Sequence, residues 1–249
     1  LTARELRIRP LTGIPELREG DDLGRLVAGA AEPGDDEIVV LSQKAVSKVE
    51  GRLRSLAEVE AGERARAVAA QVEKDPALVE LVLSESRRIV RAARGVLITE
   101  TNSGWVCANA GIDSSNLEQG MVSLLPEDGD ASARRIRGQI AAASGAAPAV
   151  VIADSFGRAW RIGQADVAIG CAGLPPLADW RGRRDANGRE LSATHIALAD
   201  ELASSADLVR DKDSGVPGAI VAGLGHLVTS EDGPGARAIP RAPEDDLFR

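Results

Sequence analysis

The sequence predicts a mixed α/β domain, an α+β arrangement of irregular mixed sheets with flanking helices, and three observations carry that expectation. The chain has 249 residues, 44% of them hydrophobic, which is enough for one large core. Short apolar runs such as "IVVL" and "AVVIAD" are bounded by Gly, Pro or Asp and read as buried strands, whereas "DASARRIRGQIAAAS" carries its apolar residues at helical spacing. The two kinds of segment alternate without the regular rhythm of a doubly wound sheet. No internal repeat or low-complexity linker interrupts them, so residues 1–249 read as one domain.

Taken in order, "ELRIRP" alternates apolar and charged residues through Leu6, Ile8 and Pro10 as a strand, and Gly13 and Pro15 end it. A helix follows, capped by Asp21 or Asp22. Ile38 to Leu41 form a buried strand that runs into a polar, cationic bend, "SQKAVSK". From Leu56 to Ala93 the spacing is helical in two stretches, parted at Asp75 and Pro76, where proline suits the first turn of a new helix. "GVLITETNSGWVCANAGIDSSN" is a hairpin whose second strand ends in a Gly-Ile-Asp turn, and "VSLLP" is a short strand. "DASARRIRGQIAAAS" is a helix capped by Asp130 or Ser132. "APAVVIAD" and "DVAIGCAG" are strands on either side of the bend "GRAWR". A long polar loop, "DWRGRRDANGRE", leads to the helix "ATHIALADELASSADLV", with His195 packed in it, and "GAIVAGLG" is the last strand.

Composition removes several function classes. A net charge of -8 argues against a nucleic-acid or anionic-membrane surface, and 2% aromatic residues leave no platform for stacking single-stranded bases. Cys107 and Cys171 lie far apart in apolar surroundings, as small buried residues in a reducing, cytoplasmic setting. No apolar run reaches the roughly 18 residues that span a bilayer. His195, His226 and the two cysteines have no paired ligand spacing for zinc, and no "GxSxG" accompanies either histidine. Neither "GxxxxGK[ST]" nor a "GxGxxG" between strand and helix occurs, so a nucleotide would not be held in a P-loop or Rossmann manner.

What remains is oxygen chemistry. Asp154 and Ser155 close the apolar run "AVVIAD", and Asp113 in "NAGIDSSN" again follows a short strand and a glycine. Each aspartate alone caps a turn equally well. Together, each beside a hydroxyl, they are what a two-carboxylate Mg²⁺ or Mn²⁺ site needs. Lysine occurs only at Lys44, Lys48, Lys74 and Lys212, so two of them within "QKAVSK" suggest a phosphate contact by Lys48. Arg158 and Arg161 in "GRAWR" and the glycine turn "DKDSGVPG" are further candidates, each with a solvated or simple-turn alternative. Arg181, Arg183, Arg184 and Arg189 crowd the long loop, where an ion-paired surface competes with recognition of an anion.

"LSQKAVSKVEGR", "ITETNSGWVCANAGIDSSN", "LLPEDGDASARRIR", "VVIADSFGRAWRIGQADVAIGCAGL" and "DANGRELSATHIALADELASSADLV", in this order and spacing, resemble the coenzyme F-420-0:γ-glutamyl ligases over nearly the whole chain. Both the stand-alone archaeal form and the N-terminal part of the actinobacterial bifunctional enzyme are similar. The terminal "PEDDLFR" looks like the junction at which the bifunctional chain continues into a nitroreductase-like domain. The resemblance implies a GTP-dependent, GDP-forming ligase that adds L-glutamate to a phospholactyl deazaflavin and extends a γ-linked tail through an acyl phosphate. It also implies a homodimer, two divalent ions (Mg²⁺ or Mn²⁺) with K⁺ as a further cation, and an α/β fold unrelated to P-loop or ATP-grasp enzymes. By the same resemblance the metal ligands are Asp113, Asp154 and Ser155, the last standing where relatives often have Thr. The GTP contacts are Ile14, Pro15, Glu16, Leu17, Gln43, Lys48, Asn116, Asp213, Ser214 and Gly215, and Lys48 and Arg158 stabilise charge on the transferring group. Two other readings compete: a metal-dependent phosphohydrolase, and a non-catalytic deazaflavin or nucleotide carrier.

Overall fold

The computed structural model describes residues 5–246, so "PEDDLFR" is followed only to Asp246. Strand β1 (Arg7–Pro10) leads to helix α1 (Leu23–Ala31), capped by Asp22, whose carboxylate accepts from the Arg25 N–H. Strand β2 (Ile38–Ser42) is buried from Ile38 to Leu41. The bend expected after it is a helix, α2 (Gln43–Val49): Ser42 caps it by accepting from the Ala45 N–H, and Ala45, Val46 and Val49 are its buried apolar residues. Strand β3 (Leu53–Ser55) precedes helices α3 (Glu63–Val72) and α4 (Pro76–Ser84), the two predicted stretches, with Asp75 capping α4 and Pro76 in its first turn.

Helical spacing was expected as far as Ala93, but it stops at Ser84. Residues Ser86–Ala93 are strand β4, paired with β5 (Val96–Thr101) across two register shifts. Those shifts break the alternation that marks a strand, leaving "SRRIVRAA" with a pattern a helix also permits. Strand β6 (Val106–Ala108) completes the predicted hairpin, and the short strand expected at "VSLLP" is β7 (Met121–Ser123), which begins one residue earlier, ends at Ser123 and pairs with β3. Helix α5 (Gly129–Ser144) is capped by Asp128, which accepts from the Ala131 N–H, and not by Asp130 or Ser132. Asp130 is instead buried, accepting from the backbone N–H groups of Cys171, Ala236 and Arg237.

Strands β8 (Ala149–Arg158) and β9 (Arg161–Ala172) form one long hairpin, so Asp154 and Ser155 lie within a strand and not at its end. Short strands β10 (Ala178–Asp179) and β11 (His195–Ile196) bracket the arginine-rich loop. His195 is thus an exposed strand residue 3.4 Å from Asp179, not a packed helical one, because β11 pairs with β10 before α6 (Leu198–Asp207) begins. Strand β12 (Gly218–Ala222) closes the chain's main sheet.

That sheet has the order β1–β12–β2–β8–β9, with β2 and β8 parallel and every other pair antiparallel. Its central strands and helices α1, α5 and α6 share one core, built on Val39, Val40, Val151, Ile152, Ile136 and Leu202. A smaller core joins α3, α4 and β5 through Ala65, Val79, Val82 and Leu97. The architecture is the mixed α/β class expected.

Two glycines set the seat of α5. A Cβ on Gly170 would lie 2.2 Å from the Gly129 carbonyl, and one on Gly129 would lie 2.3 Å from the Ile169 oxygen, so the start of α5 rests on the backbone of β9. Gly170→Ala is expected to lower stability by about 1–3 kcal/mol through overpacking, read as a lower denaturant midpoint at unchanged slope.

The end of the parallel pair positions the site. Ser42, the last residue of β2, pairs with Ala153, after which β2 turns into α2 while β8 continues. A cleft therefore opens beside Asp154, at the carboxyl end of β2 where its parallel pairing with β8 stops, the side on which open α/β sheets bind ligands.

Candidate functional site

The cleft has a volume of about 250 Å³ and is lined by five segments: Ile14 to Leu17, the start of α2, the Asp113 loop, the middle of the β8–β9 hairpin, and the chain from Asp207 to Pro217. Asp113 reaches it because the chain after β6 coils left-handedly, with φ of 51° at Asn109, 54° at Ala110 and 73° at Gly111. Asparagine and glycine tolerate that region better than alanine, so Ala110 holds local strain in the chain leading to Asp113.

At Asp113 the carboxylate meets Lys44 Nζ at 2.8 Å and accepts from the Ser115 N–H at 2.8 Å and the Ser115 hydroxyl at 2.7 Å. Burial pushes this carboxyl up, but Lys44 and Ser115 outweigh it and leave Asp113 below the usual carboxylate range. Asp154 behaves in the opposite way. Burial raises it to about 7; the Ser155 N–H opposes that, the Asp166 and Asp113 carboxylates add to it, and Lys212 opposes it. Across the hairpin, the Ser155 hydroxyl donates to Asp166 Oδ1 at 2.6 Å, and Arg210 Nη2 donates to Asp166 Oδ2. Lys212 Nζ donates to Ser155 Oγ at 2.6 Å, and Asn116 Nδ2 donates to the Lys212 carbonyl at 2.8 Å. Lys48 Nζ pairs with Glu16 Oε1 at 2.5 Å, and buried Gln43 accepts from Ser47 Oγ at 2.9 Å.

The donor set suits a hard divalent cation. Asp113, Asp154 and Ser155 offer oxygen only, and Asp154, raised to about 7 first by burial, also faces the Asp166 and Asp113 carboxylates, whose charge a cation would offset. Among the described residues no group of three or more His, Cys, Asp or Glu is arranged to hold a metal, so Ser155 and a ligand's own oxygens would have to complete the shell.

Of the residues named from the sequence, Ile14, Pro15, Glu16, Leu17, Gln43, Lys48, Asp113, Asn116, Asp154, Ser155 and Gly215 line the cleft. Asp213 and Ser214 stand in the adjoining turn, where the Ser214 hydroxyl donates to the Asp211 carbonyl and accepts from the Val216 N–H. Arg158 is not brought to the cleft. Because β8 continues past Asp154, Arg158 sits about 13 Å further along the strand, at the solvated hairpin end, donating to the Ile162 carbonyl at 2.9 Å. Asp166, Asp207 and Arg210 line the cleft without having been singled out, whereas Lys44 and Lys212 do so from the candidate segments "QKAVSK" and "DKDSGVPG". The available signals were an acid inside the apolar run "ADVAIG" and the scarcity of lysine.

The arginine-rich loop is self-paired: Arg181 binds Asp179 at 2.7 Å, Arg183 stacks over Trp180 at 4.2 Å, and Arg184 donates to the Gly188 carbonyl. Both cysteines are free and buried, and burial pushes each thiol up to about 12.

A family model described as F420-0:Gamma-glutamyl ligase matches residues 13–223, a span that contains every segment of the cleft. The chain is 45% identical to the coenzyme F420:L-glutamate ligase of Methanopyrus kandleri, over 98% of each chain. It is 42% identical to that of Methanothermobacter thermautotrophicus, over 95% of this chain and 96% of the relative. With the protein of the same name from Haloarcula marismortui, identity is 39% over 98% of this chain and 96% of the relative.

Proposed function

The chain belongs to the F420-0:gamma-glutamyl ligase family, and from that premise we propose that it is a GTP-dependent, GDP-forming ligase. It joins L-glutamate in amide linkage to a phospholactyl deazaflavin and extends a γ-glutamyl tail. The observation that carries this reading is the convergence of two carboxylates, Asp113 and Asp154, with Lys44, Lys48 and Lys212 on one cleft. Such a site handles polyphosphate by neutralising charge.

The γ-phosphoryl group of GTP passes to the terminal carboxylate of the deazaflavin side chain, giving an acyl phosphate and GDP. The glutamate amine then attacks the acyl carbon, phosphate leaves, and the amine proton is lost to solvent or base. Lys48 binds the transferring group, and Lys44 and Lys212 hold the flanking acids in place. Mg²⁺ or Mn²⁺ held by Asp113, Asp154 and Ser155 would supply neutralisation of phosphate oxygens, with K⁺ as a further cation of the reading. No covalent enzyme intermediate is needed, and Cys107, whose thiol is raised by burial and then by Asp154, is a poor nucleophile at neutral pH.

The decisive test is mass spectrometry of the protein incubated with the deazaflavin acid, L-glutamate, GTP and Mn²⁺ in K⁺ buffer, each omitted in turn. Glutamate-sized mass gains are expected only in the complete mixture. GDP without mass gain would replace the ligase with a phosphohydrolase, and binding without either change would leave a carrier. The proposal includes a homodimer, which sedimentation should report as twice the chain mass, and a cytoplasmic setting. No described helix is long and apolar enough to cross a membrane.

A further inference from the structure

We propose that Asp166 is a positioning residue: it accepts the hydrogen bond of the Ser155 hydroxyl and so turns the lone pairs of Ser155 into the cleft as a cation acceptor. The inference rests on the cation reading above. Ser155 and Asp166 face each other in the β8–β9 register, and the hydroxyl donates to Asp166 Oδ1 at 2.6 Å. Asp166 is buried with its other oxygen gripped by Arg210, itself buried, and its backbone carbonyl accepts from the Ser204 hydroxyl at 2.6 Å. A carboxylate paired with a guanidinium only accepts hydrogen bonds, and a hydroxyl has a single proton to give. Once that proton is committed to Asp166, Ser155 has only lone pairs left to present.

A positive group already uses them. Lys212 Nζ lies 2.6 Å from Ser155 Oγ, and its side chain is 68% exposed against 3% for Asp166. The exposed lysine, which also pairs with Asp207 at 3.3 Å, can yield Ser155 to another cation, whereas the acid is fixed. Stability alone does not account for burying Asp166 and Arg210 together, since apolar residues of the same volume would serve the fold as well or better. An apolar pair would leave the Ser155 proton free to point into the cleft, against a cation.

The test is Mn²⁺ binding in the absence of nucleotide and substrates, followed through the free-ion paramagnetic resonance signal. Asp166→Asn places an amide donor opposite Ser155 and is expected to weaken Mn²⁺ binding about 10–100-fold, as loss of an outer-shell partner does. In a Ser155→Ala background the same substitution should add nothing, which a merely structural role would not predict. Because Asp166→Asn leaves Arg210 with only its longer pairing to Asp207 at 3.5 Å, the variant Asp166→Asn with Arg210→Gln removes both charges and should show the same loss. Wild-type affinity in these variants, or a loss of equal size with and without the Ser155 hydroxyl, overturns the inference alone. Absence of Mn²⁺ binding by the wild-type protein would overturn the cation reading and this inference with it.

Discussion

Replacement of Asp154 by Asn is expected to reduce glutamate transfer by at least about 10²–10³-fold, as loss of one preorganised charge contact does, while stabilising the cation-free protein above pH 7. The second half follows from the direction of the pKa shift. The folded value of Asp154 is about 7 against an ordinary 3.8, so between those values the native state holds a proton that the unfolded chain has lost. The stability from that proton is fully present below the ordinary value and is lost as pH rises through about 7. Above pH 7 a carboxylate is ionised among Asp166 and Asp113, a cost that asparagine does not carry. Thermal melts at about pH 5 and pH 8 measure this directly. The variant should melt above the wild type at both pH values, and by the larger margin at pH 8, because at pH 5 only part of the proton's contribution has been lost. Added Mn²⁺ should raise only the wild type, and more so at pH 8, because the cation competes with the Asp154 proton. Equal melting at pH 8, or an equal Mn²⁺ shift in both proteins, would remove Asp154 from the cation site.

How much of this could be read from the sequence depends on how local each signal is. The run from Val150 to Ile152 is continuous and apolar, so β8 was legible; its far half, Ser155 to Arg158, is polar and partly exposed and becomes strand only by pairing with β9. That is why Arg158 was expected near the site when the strand in fact carries it away. Helix α2 was missed because it is short and its sequence signal is a serine cap with two lysines, a pattern that equally describes a bend. Asp113 and Asp154 were found because an oxygen-only pair is chemically specific, and the resemblance then supplied their partners. Asp166, and the contact of Lys212 with Ser155, were out of reach. Lys212 meets Ser155 across 57 residues of sequence, and a contact of that range leaves no mark in local periodicity.

Loss of the Lys48 ammonium is expected to have an effect comparable to that of Asp154→Asn, with a different kinetic signature. Lys48 is anchored on α2 with its side chain 18% exposed, while its partner Glu16 is 78% exposed on the loop before α1. An ion pair with one partner in solvent contributes about 0–1 kcal/mol, so a polyphosphate displaces Glu16 at little cost. A carboxylate side chain cannot donate to phosphate, so any contribution of Glu16 to nucleotide binding is through its main chain. Lys48→Met should therefore lower kcat and kcat/KM for GTP together, by about 10²-fold or more, if the ammonium acts on the transferring group. A rise in KM with kcat preserved would limit Lys48 to ground-state binding. Glu16→Gln removes the competitor and should lower KM for GTP. Initial rates of GDP release in the presence of glutamate and the deazaflavin acid separate these cases. A Glu16→Gln variant more impaired than Lys48→Met would place the polyphosphate away from α2.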